Sequence, residues 1–319
     1  MVASGALLAL LLSQCTAAGT FEGAWVLHPV SSVRKLNGDE LLRIGEIHDV
    51  QNHFPEALTY YEQALEFFRA RKQRRGEAVT LVKIGSIFER QGRREAAAAR
   101  LREEVSLCSK FPDHPAHADA LLALGRVSAW LGSREEAGGL FDHAIHRFGH
   151  SHNLPGVGQA TIQLGLLQIS DGRSEEGMRL LESVVQDAQG RHDDSQTLAA
   201  LLALGDARWL LDQPEAARPY YQDALVLAEK GLQTRLEADL QRRLSHVLET
   251  TGQPEKGIAP AKRALTLYQT LRDPSSEAAS WALLASLYRA IGQETQGEEA
   301  TQRALSIRRH QQLMVHAVR

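Results

Sequence analysis

Small and apolar residues recur along this chain every 40 positions. Gly45, Gly85, Gly125, Gly165, Gly205, Ser245 and Ala285 form a column of small residues. A large aliphatic residue precedes each of them: Ile44, Ile84, Leu124, Leu164, Leu204, Leu244 and Leu284. Two positions after the small residue stand Ile47, Ile87, Val127, Leu167, Ala207, Val247 and Leu287. Twenty positions after it stand Leu65, Val105, Ile145, Val185, Leu225, Leu265 and Leu305. Four columns in phase over seven units identify an internal repeat, the property to establish before any element is assigned.

Within each half-unit the apolar residues are spaced by three and four, which places them on one face of a helix. A small residue beside a large aliphatic one lets a second helix approach closely while its neighbour fills the gap. Seven positions after the small residue come Asn52, Gly92, Gly132, Gly172, Asp212, Gly252 and Gly292. These residue types tolerate the left-handed conformation that ends a helix. Each unit therefore predicts a helix, a tight turn and an antiparallel return helix. One hairpin cannot bury both its faces, so the units must stack. The predicted fold is all-α: seven antiparallel helix-turn-helix repeats over residues 38–310, preceded by 1–19 and 20–37 and followed by a tail, 311–319.

Unit three reads Leu121, Leu124 and Gly125, then Ala137, Phe141 and Ala144. Unit seven supplies Trp281, Leu284 and Tyr288; unit one Ala57, Tyr61 and Ala64; unit five Ala217, Tyr221 and Ala224. This pattern resembles the tetratricopeptide repeat, with 40 residues per unit rather than about 34. The longer variant is similar to arrays of bacterial signalling proteins and eukaryotic peptide-binding adaptors. The resemblance implies a right-handed superhelical solenoid and a non-enzymatic scaffold for protein-protein interaction. Gly177, Gly257 and Gly297 depart from the motif's alanine, and Ala261 and Thr301 from its large packing residue. Looser packing is expected in those units.

In that architecture the first helix of each unit lines a concave surface. Positions three before and one, four or five after the small residue then form a groove. Across the middle it presents Leu122, Arg126, Trp130, Ile162, Leu166, Ile169, Leu202, Asp206 and Trp209, and further on Arg242 and His246. An apolar patch with a polar rim marks an interaction site, and Trp and Arg are frequent interface anchors. A peptide or protein segment is the expected partner. The same residues also read as inter-repeat packing if the register shifts by one or two.

Composition narrows the field. A net charge of −3, a pI near 6.5 and 6% aromatic residues argue against a general nucleic-acid binder. Two cysteines, Cys15 and Cys108, lie far apart and carry no disulfide framework or cysteine-based zinc motif. His114, His117, His150 and His152 fall where the start of one helix meets the end of its partner, and imidazoles suit transition metals. No carboxylate or cysteine completes a recognised motif there, so exposed polar residues are the plainer reading and no metal or other cofactor is expected. Phosphate loops, zinc-protease motifs and nucleophile elbows are missing, and an enzyme is not expected.

The first nineteen residues differ from the rest. Ala6 to Leu12 reads ALLALLL, followed by small and polar residues. A secretory leader cleaved after Ala18 fits this segment, as does a lipoprotein leader ending at Cys15. An apolar tail on a cytoplasmic chain fits too, because no Lys or Arg precedes Arg34. The segment is too short to span a bilayer, so membrane attachment is expected only through such an anchor. Residues 20–37 hold Phe21, Trp25, Val26 and Leu27, suited to capping the first unit. The last helix lacks an obvious solvating cap, and self-association through that end is the alternative to a monomeric adaptor.

Overall fold

A computed structural model describes residues 36–109 and 114–317, with side chains to residue 313. The leader and residues 20–35 of the expected cap lie outside the described residues. From Gly38 onward the chain forms one compact unit. Among the described residues there are fourteen helices. Unit one pairs α1 (Gly38–Val50) with α2 (Phe54–Ala70), and unit two pairs α3 (Arg74–Arg90) with α4 (Arg94–Cys108). Unit three is α5 (Pro115–Trp130) and α6 (Arg134–His150); unit four is α7 (Leu154–Ser170) and α8 (Ser174–Gly190). Then follow α9 (Asp194–Leu210) with α10 (Pro214–Lys230), α11 (Thr234–Thr250) with α12 (Pro254–Thr270), and α13 (Pro274–Ala290) with α14 (Glu294–Ala317). This is the tetratricopeptide-like all-α solenoid of seven hairpins. The last helix runs past residue 310, through most of the 311–319 tail.

The 40-residue unit has a simple origin. From α6 to α13 every helix has 17 residues and every connection three, so one helix with its turn takes 20. All seven turns within units are left-handed at the expected position, from Asn52 at φ 60° to Gly292 at φ 76°. The connections between units use the same geometry with ordinary side chains: Lys72, His152, His192, Leu232 and Arg272 all have φ between 52° and 57°. A leucine there lacks the local side-chain hydrogen bond that makes the conformation tolerable for Asn or Asp. Leu232 is 87% exposed and gains no burial in exchange. Leu232→Gly is expected to raise stability by about 0.5–1 kcal/mol, glycine's greater unfolded-state entropy offsetting part of the relief. A higher urea midpoint at unchanged m would establish this.

The small column forms the contact within each hairpin. A methyl group placed on Gly125 would lie 2.5 Å from the Phe141 ring, and one on Gly205 would lie 2.4 Å from Tyr221. Unit four closes differently: a methyl group on Gly177 would stand 2.4 Å from the Gly165 carbonyl oxygen. The looser packing expected there is not found, because two facing glycines let α7 and α8 come together backbone to backbone. In unit six, Ser245 on α11 donates its hydroxyl to the Gly257 carbonyl on α12 at 2.8 Å.

Two other columns reveal the stacking direction. Ile87, Val127, Leu167, Ala207, Val247 and Leu287 are buried, whereas Ile47 in unit one is 57% exposed. Leu65 and Leu265 are buried in the second column, and Leu305 in the last unit is 38% exposed. Each column is covered by a neighbouring unit, and among the described residues units one and seven have only one neighbouring unit.

Tyr268 on α12 is fully buried and donates its hydroxyl to Asp239 on α11. Burial, followed by that hydrogen bond, pushes its phenol up to about 12. Tyr61 and Tyr221 move in the same direction, again chiefly through burial. The fold favours the neutral phenol, so this contribution is complete below the ordinary tyrosine value of about 10 and is lost as pH rises toward 12. Unfolding free energy is therefore expected to fall across that window, and less steeply in Tyr268→Phe. Urea titrations at stepped alkaline pH would measure both slopes.

Candidate functional site

Two clefts on this array share part of their lining. In the first, about 250 Å³ is enclosed by Arg126, Trp130, Arg134, Phe141, Gln163 and Leu166. In the second, about 210 Å³ is enclosed by Trp209, Tyr221, Arg242, Arg243 and His246. Phe141 and Tyr221 hold the same place in units three and five, and Leu166 and His246 the same place in units four and six. The two clefts are thus related in part: Trp130 stands five and Trp209 four positions after the small residue, each beside a buried ring from the return helix and a residue of the following unit.

The walls are held by polar contacts between units. Arg126 donates to both Glu89 carboxylate oxygens, at 2.7 and 2.9 Å, a fork geometry that fixes the guanidinium plane. Arg134 donates to the Ser170 carbonyl at 2.9 Å and pairs with Asp171. In the second cleft Asp206 accepts from the Tyr221 hydroxyl at 2.7 Å and pairs with Arg243. The His246 ring packs against Trp209 with centroids 4.9 Å apart. Its Nδ1 lies 3.0 Å from a Glu249 oxygen. Trp130 is 50% exposed, with the Arg94 guanidinium 5.5 Å from its ring centre. Each cleft therefore joins an indole face to a rim carrying two arginines.

The expected groove residues divide sharply. Arg126, Trp130 and Leu166 meet in the first cleft, and Trp209, Arg242 and His246 in the second. Asp206 braces the second cleft through Tyr221 and Arg243. Leu122, Ile162 and Ile169, in contrast, are buried, and Leu202 is partly buried in the packing between units five and six. Leu122, Ile169 and Leu202 belong to helix packing, and Ile162 also lines a separate cleft of about 490 Å³ with Gln159, Gln196 and Ala199. The reason is the width of the buried arc: a first helix contacts its own partner and both adjacent units, and α5 alone buries eleven of its sixteen residues. Arg134, Gln163 and Arg243 were not anticipated, because Arg134 opens a return helix and the other two lie two positions before the small residue, outside the expected groove positions.

The four histidines do not converge. His114 caps α5, its Nδ1 accepting from the Ala116 amide at 3.3 Å. Burial lowers the pKa of its imidazole. His117 turns inward against α4, while His150 and His152 are exposed.

No protein-family model matches this chain, and no curated protein matches it significantly. Solved structures do resemble it. A signal-transduction ATPase with a tetratricopeptide repeat sensor, PH0952 from Pyrococcus horikoshii, aligns at TM-score 0.67 and 15% identity. That alignment covers 88% of this chain and 43% of the ATPase. BtubC (BKLC) from P. vanneervenii aligns at TM-score 0.61 and 19% identity, covering 69% of this chain and 92% of its own. A Rap conjugation gene regulator of the plasmid pLS20, solved in complex with the Phr* peptide, aligns at TM-score 0.56 and 16% identity. There the coverage is 94% of this chain and 83% of the regulator. At these identities the likeness is one of fold.

Proposed function

We propose that this chain is a non-enzymatic scaffold that holds a peptide or protein segment across units three to six, with two side chains of the segment anchored in the tryptophan clefts. The observation that carries this reading is the pair of clefts, in which Trp130 and Trp209 each wall a cavity of about 200–250 Å³ beside two arginines. Aromatic and arginine side chains in pre-formed pockets are the usual energetic centre of an interface. The Rap regulator in complex with the Phr* peptide shows a similar solenoid with a peptide bound, which supports the same use here.

The test is selection of binding peptides from a random library, followed by calorimetry against wild type, Trp130→Ala and Trp209→Ala. Each variant is expected to weaken binding at least about tenfold, as truncation of an interface anchor does. Selected peptides that bind the double variant as tightly as wild type would exclude the groove. The second reading, self-association, draws on Leu305 and Leu313, which are exposed eight residues apart on α14. Light scattering on the same samples separates the two, because a groove adaptor keeps a constant mass at all concentrations.

A further inference from the structure

The contact between units two and three contains a side-chain set that the repeat does not call for. Position 104 belongs to a column whose other members are Ala64, Ala144, Val184, Ala224, Ala264 and Ala304. In unit two that column holds a glutamate with no solvent exposure at all. Cys108, one turn further along α4 on the same face, is also fully buried, and His117 from the first turn of α5 is 6% exposed. The carboxylate oxygen, thiol sulfur and imidazole nitrogen of these residues all lie within 4.8 Å of one another.

A buried carboxylate needs partners for both oxygens, and leaving one unpaired is costly. Glu104 Oε2 lies 3.4 Å from His117 Nδ1. Its Oε1 is buried and has no hydrogen-bond partner. The second oxygen is thus an unpaired polar atom inside a cluster of ligand-type side chains. Zinc takes carboxylate and imidazole ligands at about 2.1 Å in tetrahedral geometry, which sets neighbouring ligand atoms about 3.4 Å apart. The Glu104–His117 pair already has that spacing, and Cys108 needs only a small adjustment to provide a third vertex. One thiolate and one carboxylate would balance a divalent ion, so the site is neutral, as a buried site should be, with a water molecule completing the tetrahedron at the fourth vertex.

We infer that Glu104, Cys108 and His117 form a binding site for a zinc-class divalent cation, which pins the second helix of unit two to the first helix of unit three. Sulfur and imidazole donors select zinc and cobalt over magnesium or calcium, which take oxygen ligands. On binding, Cys108 loses its thiol proton to solvent and His117 coordinates through a neutral ring nitrogen. The site is independent of the proposed groove, and its loss leaves the tryptophan clefts in place.

The test uses the full chain without a histidine tag, stripped of metal and titrated with Co(II). The expected result is one equivalent bound, with a thiolate-to-cobalt charge-transfer band and tetrahedral d–d absorption, both displaced by Zn(II). Cys108→Ala is expected to remove the charge-transfer band and the zinc-induced rise in Tm. Glu104→Gln and His117→Ala should weaken binding at least tenfold. Cys15→Ala and the exposed pair His150→Ala and His152→Ala should retain the band. His150 and His152 are exposed, so that pair of variants keeps the test decisive if the buried ones unfold. Wild type that is folded by circular dichroism yet shows neither band nor Tm shift would overturn the inference. So would a band that survives Cys108→Ala or disappears with Cys15→Ala.

Discussion

Phe141→Ala is expected to destabilise the array by about 3–5 kcal/mol, the range for removing a fully enclosed phenylalanine. The ring is 1% exposed and packs with Leu121, Leu122, Ala144, Phe148, Leu164 and Leu167 in one cluster joining units three and four. Its partner across the hairpin is Gly125, which has no side chain to move into the void. The cavity therefore stays open, and the full cavity penalty applies in addition to the lost transfer free energy. A repeat array is stabilised by its units and by the interfaces between neighbours, so protection should fall most in α5 to α7. Urea unfolding gives the total, and amide hydrogen exchange locates it. A loss below about 1.5 kcal/mol would mean the neighbouring helices had collapsed onto the site. The ring also lines the first cleft, so peptide binding should weaken in the same variant while the second cleft keeps its shape.

Gly177→Val is expected to cost about 3 kcal/mol, the upper part of the usual overpacking range. Here the first added carbon meets backbone, the Gly165 carbonyl oxygen at 2.4 Å, and the Ile169 side chain at 2.6 Å. Neither the carbonyl nor the helix carrying it can rotate aside, so α7 and α8 must separate. Gly139, also inside a helix, has nothing within 4 Å of the corresponding position. Gly139→Ala should therefore stabilise by about 0.5–1 kcal/mol through helix propensity alone. Opposite signs for these two helical glycines, measured by chemical denaturation, are the prediction. Equal signs would contradict the close approach of α7 and α8.

How much of this was legible in the sequence depends on the range of the interaction involved. The repeat, its seven hairpins and the left-handed turns at Asn52, Gly92 and their equivalents depend on local periodicity and on residue types with distinct backbone preferences. Arg126, Trp130 and Trp209, expected in the groove from positions one, five and four after the small residue, line the two clefts. Leu122, Ile162 and Ile169, expected in the groove from positions three before and four after the small residue, are buried. Helical periodicity gives a direction from the axis, but the arc that neighbouring units cover depends on how three other helices pack around it.

Local pattern therefore determined what each unit is: two antiparallel helices joined by a left-handed turn, with a small position that admits the partner helix. Tertiary structure decided what each side chain meets. Leu232 adopts a left-handed turn that its own residue type does not signal, because short connections between packed helices leave the backbone no other path. Gly177 brings two backbones together because the facing residue, twelve positions earlier, is also glycine. Glu104, Cys108 and His117 become one cluster only because α4 of unit two packs on α5 of unit three. The first kind of fact follows from bonds and torsions along a few residues; the second depends on distances between segments that periodicity alone does not specify.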